Sequence, residues 1–158
     1  MPLKGIPSIL PPTLLHTLAS MGHGDELLIA DANFPASSQG RDVIHMQGSS
    51  ATDVLAAVLS LLPLDSFAQY QATVMKQVTA PDEDAPIVHE FASLLTASYQ
   101  ADGARAAAQV ERVDRFAFYE RAKATYAIVA TGEVRLYGNI IIKKGVIGGD
   151  GKVVILSN

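Results

Sequence analysis

The residues whose types and spacing suit proton chemistry sit in one stretch, Gly22-His-Gly-Asp-Glu-Leu-Leu-Ile-Ala-Asp-Ala-Asn-Phe-Pro35. Histidine is the side chain that changes charge near neutral pH, so His23 suits giving or taking a proton. Asp31, eight residues on, offers a carboxylate. Between them Leu27 to Ala30 is short and uniformly apolar, the pattern of a strand covered on both faces. Asp31 then falls at the strand's C-terminal end, the edge at which open α/β sheets bind ligands. Gly22 is expected in a left-handed conformation that ends the preceding helix.

Other chemistries find less support. His16, His23, His45 and His89 contain no i,i+4 pair, and no carboxylate completes a His-x-x-x-His frame, so no metal site is expected. Gly22-x-Gly24 lacks the third glycine of a dinucleotide fingerprint and precedes a strand instead of following one. Gly148-Gly149-x-Gly151 has no helix after it to hold a phosphate, and a hairpin turn accounts for it. No Gly-x-Ser-x-Gly elbow is present. Asp25 and Glu26 lie at the far end of the strand from Asp31, which weakens a paired-carboxylate site. Taken singly, the remaining candidates have plain readings. His23 suits a loop, Asp31 a cap on backbone N–H groups, Arg115 a surface pair with Glu111 or Asp114, and Tyr137 a half-buried aromatic near a turn.

Composition narrows the class. A chain of 158 residues suits one domain with a real core. Hydrophobic residues make up 49% but aromatics only 6%, so Leu, Ile, Val and Ala must fill that core. A net charge of −4 argues against nucleic acid or an anionic membrane as partner. Without cysteine there is no disulfide, thiolate nucleophile or Cys-based metal site. Pro7, Pro11, Pro12 and His16 interrupt the apolar N-terminal run, so no secretory signal is expected. No apolar run approaches the roughly 20 residues of a membrane span. A cytoplasmic location is the expectation.

The elements that must position these groups follow from pattern. Thr13–Met21 reads as a helix entered through Pro11 and Pro12. Strands are expected at Leu27–Ala30, Asp42–Gln47, Gln71–Val78, Val110–Asp114, Tyr126–Ala130 and Asn139–Lys143, with a further one at Val153–Leu156 after the glycine turn. Ser50 or Thr52 caps a helix through Leu62 that Pro63 ends. Val88, Phe91, Leu94, Leu95 and Tyr99 give another helix its apolar face, and Phe116–Lys123 forms a short one. Thr79 to Pro86 is a charged surface loop, and Ala101 to Gln109 a connection. Strands alternating with helices predict a single α/β layered domain.

Four motifs in order then carry a resemblance. Met21-Gly-His-Gly-Asp-Glu26, Asp31-Ala-Asn-Phe-Pro35, Arg115-Phe-Ala-Phe-Tyr-Glu-Arg-Ala122 and Tyr137-Gly-Asn139, the last followed by Ile140 to Val146, resemble the fucose mutarotase and ribose pyranase (RbsD/FucU) family, from about Ile9 to Val146. The resemblance implies an RbsD-like central mixed sheet flanked by helices, and an isomerase that interconverts α and β anomers of L-fucose. It implies His23 as general acid, and Asp31, Arg115, Tyr137, Gly138 and Asn139 as sugar-binding residues. It also implies no cofactor, no metal, a monosaccharide substrate and a ring-shaped homo-oligomer, decameric in form. Residues 147–158 extend past it, and the loop at 79–86 has no counterpart. D-ribose as substrate, or binding of a sugar without turnover, remain alternatives. Eight extended residues span about 26 Å, too far for one monosaccharide to touch both His23 and Asp31. The expectation is therefore either a folded-back loop or a site shared between subunits.

Overall fold

The computed structural model describes residues 2–156. Its centre is β1 (Glu26–Ala30), whose side chains divide as the apolar run predicts. Leu27 and Ile29 point into one hydrophobic layer, Leu28 and Ala30 into the other. Five strands extend this one: β2 (Asp42–Met46), β3 (Ala72–Met75), β4 (Val110–Val113), β5 (Ala127–Thr131) and β6 (Ile140–Lys143), in the order β2-β5-β1-β6-β3-β4. β6 runs antiparallel to both neighbours, β1 and β3, while the β1–β5, β2–β5 and β3–β4 pairs are parallel. The sheet is mixed, as the resemblance implies.

Helices α1 (Pro12–Ser20), α2 (Ala51–Leu59) and α3 (Pro86–Ala101) cover one face with Leu14, Leu18, Val54, Leu55, Phe91 and Leu95. The short α4 (Arg115–Ala122) and a 3-10 turn at Ala36–Gln39 cover the other with Phe118, Ala122, Phe34 and Ala36. Ser50 caps α2 by accepting from the Asp53 amide, and Asp114 caps α4 by accepting from the Phe116 and Ala117 amides. Proline at the first helical position opens both α1 and α3.

Several boundaries differ from the pattern reading. Gly22 does not take the left-handed conformation; Gly24 does, at φ +83°. The reason is that α1 needs no glycine cap. The Lys144 ammonium reaches back to the carbonyls of Leu18 and Met21 and satisfies that helix end itself. The expected strand at Val153–Leu156 reduces to one bridge, Ile147 with Val153. Gly148 N–H does donate to the Lys152 carbonyl at 2.8 Å, closing the turn. Beyond it Ser66 Oγ donates to the Val154 carbonyl and accepts from the Leu156 amide, tying the segment to a loop instead of a sheet edge. β3 is four residues, and Pro86 begins α3 instead of closing a loop. Among the described residues, no helix is long and apolar enough to cross a membrane.

Candidate active site

Strand direction sorts the candidate residues into two groups. β1, β2, β3, β4 and β5 all run one way, so their C-terminal ends share an edge, and the N-terminal end of antiparallel β6 joins them there. Asp31 follows β1, Arg115 follows β4 and Asn139 precedes β6, so residues far apart in sequence meet at one edge. His23 precedes β1 and belongs to the opposite edge.

At the first edge Asp31 is 6% exposed and Asn139 4%. Asn139 Nδ2 donates to Asp31 Oδ2 at 2.7 Å, and the Asp31 amide donates to Asn139 Oδ1 at 2.9 Å. This reciprocal clasp satisfies two groups that would be costly to bury alone. The Asn33 amide donates to Asp31 Oδ1 at 3.0 Å, so the loop-cap reading of Asp31 holds as well. Each carboxylate oxygen still has acceptor capacity facing a cavity of about 210 Å³. Arg115, Tyr119, Tyr137, Phe34 and Met75 wall that cavity. Arg115 forms neither expected pair. Glu111 goes to Arg121 and Asp114 to the α4 cap, while the Arg115 guanidinium lies 5.1 Å over the Phe116 ring. Among the described residues the guanidinium has no carboxylate partner, which puts a cationic fork at the cavity beside the carboxylate, a combination suited to sugar hydroxyls. A larger cleft of about 570 Å³ shares Asp31 and Phe34 but is bounded by Ser37, Ser38, His45 and Gln47. It lacks Arg115, Tyr137 and Asn139, so the smaller cavity is the candidate site.

The arch from Glu133 to Gly138 lays Tyr137 and Asn139 over Asp31. Tyr137 has φ +62°, a left-handed conformation that costs a non-glycine residue about 1–2 kcal/mol. Its hydroxyl accepts from the Val78 amide at 2.9 Å. At Gly138 a Cβ would stand 2.7 Å from Glu133 Cγ, 3.0 Å from the Arg135 carbonyl and 3.3 Å from Asp31 Cβ. Only glycine lets the chain pass that close.

At the opposite edge, His23 is half-exposed and its Nε2 lies 3.0 Å from Oδ1 of buried Asp65. An ionised carboxylate can only accept, so in this contact Nε2 carries a proton and donates it to Asp65. Asp65 Oδ1 also accepts from the Phe67 amide, and the Phe67 ring stands 5.2 Å from the imidazole. A base oriented by a buried carboxylate is the arrangement of many acid/base catalysts. The Gly24 amide donates to the Lys144 carbonyl and the Lys144 amide to the Asp25 carbonyl, which fixes the loop carrying His23.

The structure therefore brings Asp31, Arg115, Tyr137, Gly138 and Asn139 together and leaves His23 apart. β1 alone separates its ends by roughly 13 Å at 3.3 Å per residue, and His23 sits in the turn at Gly22–Asp25 before its start. Two further residues were not singled out from sequence. Tyr119 lies one helical turn past Arg115 and was hidden inside a motif whose helical spacing could have flagged it. Asp65, two residues after Pro63 in an irregular segment, carries no periodic signal at all. Among the described residues, no cluster of three or more His, Asp or Glu side chains is placed to hold a metal ion.

Comparison with known proteins agrees with this architecture. The chain matches the RbsD / FucU transport protein family over residues 4–147. It is 48% identical over 151 residues to the fucose mutarotase of Homo sapiens, covering 92% of this chain and 94% of that protein. The crystal structure of FucU from Bifidobacterium longum superposes with a TM-score of 0.84 at 42% identity, over 92% of this chain and 100% of that one. The fucose mutarotase of Streptococcus pneumoniae, solved in complex with L-fucose, gives a TM-score of 0.83 at 40% identity, over 92% and 100% of the two chains. By sequence and by fold, this chain belongs to the RbsD / FucU family.

Proposed function

We propose that this protein interconverts the α and β anomers of L-fucose by opening the hemiacetal ring and closing it on the other face. The observation that carries the reading is the buried Asp31–Asn139 clasp, open to a monosaccharide-sized cavity that Arg115, Tyr119 and Tyr137 complete. Relatives named fucose mutarotase, one of them bound to L-fucose, support the same substrate. Ring opening needs a proton delivered to the ring oxygen and one removed from the anomeric hydroxyl. One positioned acid/base group contributes roughly 10²–10⁴-fold, which is ample for a reaction that already proceeds unaided within hours. Asp31 and Arg115 orient the sugar through charge-assisted hydrogen bonds, and His23 moves the proton.

Because His23 stands at the other sheet edge, the reading includes a shared site. One subunit supplies His23 with Asp65, and its neighbour supplies Asp31, Arg115, Tyr137 and Asn139. A head-to-tail contact of this kind closes into a ring, which fits the homo-oligomer implied by the family resemblance. A cytoplasmic location belongs to the same proposal and is checked by cell fractionation. The decisive experiment is NMR saturation transfer between the anomers of L-fucose at equilibrium, with D-ribose in parallel. Faster exchange of fucose than in buffer supports the assignment. Exchange of ribose alone would move the substrate, and binding without exchange would make the protein a sugar binder.

A further inference from the structure

The arch that carries Tyr137 holds a strained residue, and such outliers persist only where their surroundings over-determine them. Two side chains outside the cavity do so here. Glu133 is 4% exposed, and its carboxylate accepts from Arg135 Nε at 2.9 Å, Arg135 Nη2 at 2.9 Å, the Arg135 amide at 3.0 Å and the Ala51 amide at 3.3 Å. Arg135 continues outward to Glu90 on α3 at 2.7 Å and to Thr52 on α2 at 3.3 Å. The Glu133 carbonyl accepts from the Ala32 amide at 2.8 Å, in the loop that follows Asp31. Gly138 rests directly on the Glu133 side chain, leaving no room for a Cβ between them. Neither Glu133 nor Arg135 lines the cavity.

We propose that Glu133 and Arg135 are positioning residues for the sugar site, a clip that holds the 133–138 arch in the conformation seating Tyr137 on Val78 and Asn139 on Asp31. This rests on the assignment of that cavity to the sugar. The carboxylate is fixed by two arms of one guanidinium, so the chain between positions 133 and 135 is closed into a tight loop. The guanidinium in turn anchors that loop to two helices. Substitution of either partner frees the arch to leave the left-handed conformation, and the sugar then binds only the fraction of molecules in which it is seated.

That mechanism has a particular signature. If the seated fraction falls to about a tenth, the apparent Kd for sugar rises about tenfold. Saturating sugar restores the seated form, so the exchange rate at saturation stays within roughly threefold of the unaltered protein. The Val78 amide, held by the Tyr137 hydroxyl, opens in the same proportion in the sugar-free protein and is protected again at saturating sugar.

The test compares Glu133→Gln, Arg135→Ala and Arg135→Lys with the unaltered protein. Three quantities are read: L-fucose Kd by calorimetry, anomer exchange at saturating fucose by NMR, and amide hydrogen exchange at Val78 against Leu28 in β1. The expected result is a parallel rise in Kd and in Val78 exchange for Glu133→Gln and Arg135→Ala, with a smaller rise for Arg135→Lys. Leu28 protection should not move. An unchanged Kd and unchanged Val78 protection would overturn the clip, and a lowered melting temperature alone would leave these residues a purely structural role. A lowered rate at saturation with unchanged Kd would also overturn it. If Glu133→Gln does not fold, the half-exposed Arg135 carries the test through its own two variants. Should the unaltered protein neither bind nor turn over fucose, the sugar assignment fails, while Val78 exchange still decides whether the clip holds the arch.

Discussion

At the scale of single residues, the labour is divided under the proposed reading between Asp31, which holds the sugar, and His23, which reacts. Asp31 is locked by Asn139 and the Asn33 amide, with spare acceptor capacity aimed at the cavity. Asp31→Asn removes charge from that acceptor and should weaken fucose binding by about 1.5–3 kcal/mol, the range for a hydrogen bond to a charged group. The exchange rate should fall with it. His23→Gln should behave differently, because the imidazole sits in a half-exposed loop with Asp65 behind it. Affinity should stay within a few-fold while exchange drops by roughly two orders of magnitude or more. Calorimetry and saturation-transfer NMR on the two variants check both expectations. A His23→Gln protein with normal exchange would take the histidine out of the mechanism.

At the scale of elements, each sheet edge is finished by charged groups that reach across chain segments. Lys144 closes the C-terminus of α1 from the end of β6, and Arg121 ties α4 to Glu26 on β1 and Glu111 on β4. The Glu133–Arg135 pair does the same for the arch, and here the electrostatics have a measurable sign. The hydrogen bonds from Arg135 hold the Glu133 carboxyl down at about 2, against an ordinary value of 4.5. A group depressed in the folded state binds its proton more readily when unfolded. Its contribution is therefore complete above about pH 4.5 and is lost as pH falls towards 2. Discounted for the half-exposed Arg135, it amounts to about 1–3 kcal/mol. Urea unfolding at pH 5.5 and pH 3 should show the unaltered protein losing more stability between the two than Glu133→Gln does. Equal losses would mean that the carboxylate is not held by its partner.

At the scale of the whole molecule, the reaction needs more than one chain under the proposed reading. The two groups of candidate residues occupy opposite edges of one sheet, and four exposed apolar side chains stand with them. Phe67 accompanies His23, Val78 and Leu136 line the candidate cavity, and Phe116 stands under Arg115. Joining the two edges of neighbouring copies would bury both sets. Complementation tests this directly. His23→Gln subunits and Tyr137→Phe, Asn139→Ala subunits should each be inactive as pure oligomers. Dissociated, mixed and reassembled, they should regain measurable fucose exchange, because some interfaces then pair an intact His23 with an intact Tyr137 and Asn139. Mixed assemblies verified by mass spectrometry that stay inactive would place all these groups on one chain.

Much of this was legible in the sequence because it depends on local pattern. The apolar run Leu27 to Ala30 had to be a doubly covered strand, since neither of its faces carries a polar residue, and Asp31 had to stand at its end. A cap on α2 at Ser50 or Thr52 follows from side chains that reach only their own helix turn, and the structure uses Ser50; the order of the four motifs was enough to suggest the family. The tertiary structure decided whatever depends on which segments become neighbours. Lys144 replaced the glycine expected to end α1, because β6 runs antiparallel beside β1 and delivers an ammonium to that helix end. Asp65 came to lie behind His23, and Glu133 beneath Gly138, through contacts spanning 42 positions in one case and a tight turn with no periodic signature in the other. Periodicity reports which side of an element faces the core. It is silent about what another segment brings to the element's end, and in this protein the ends of the strands are where the candidate chemistry lies.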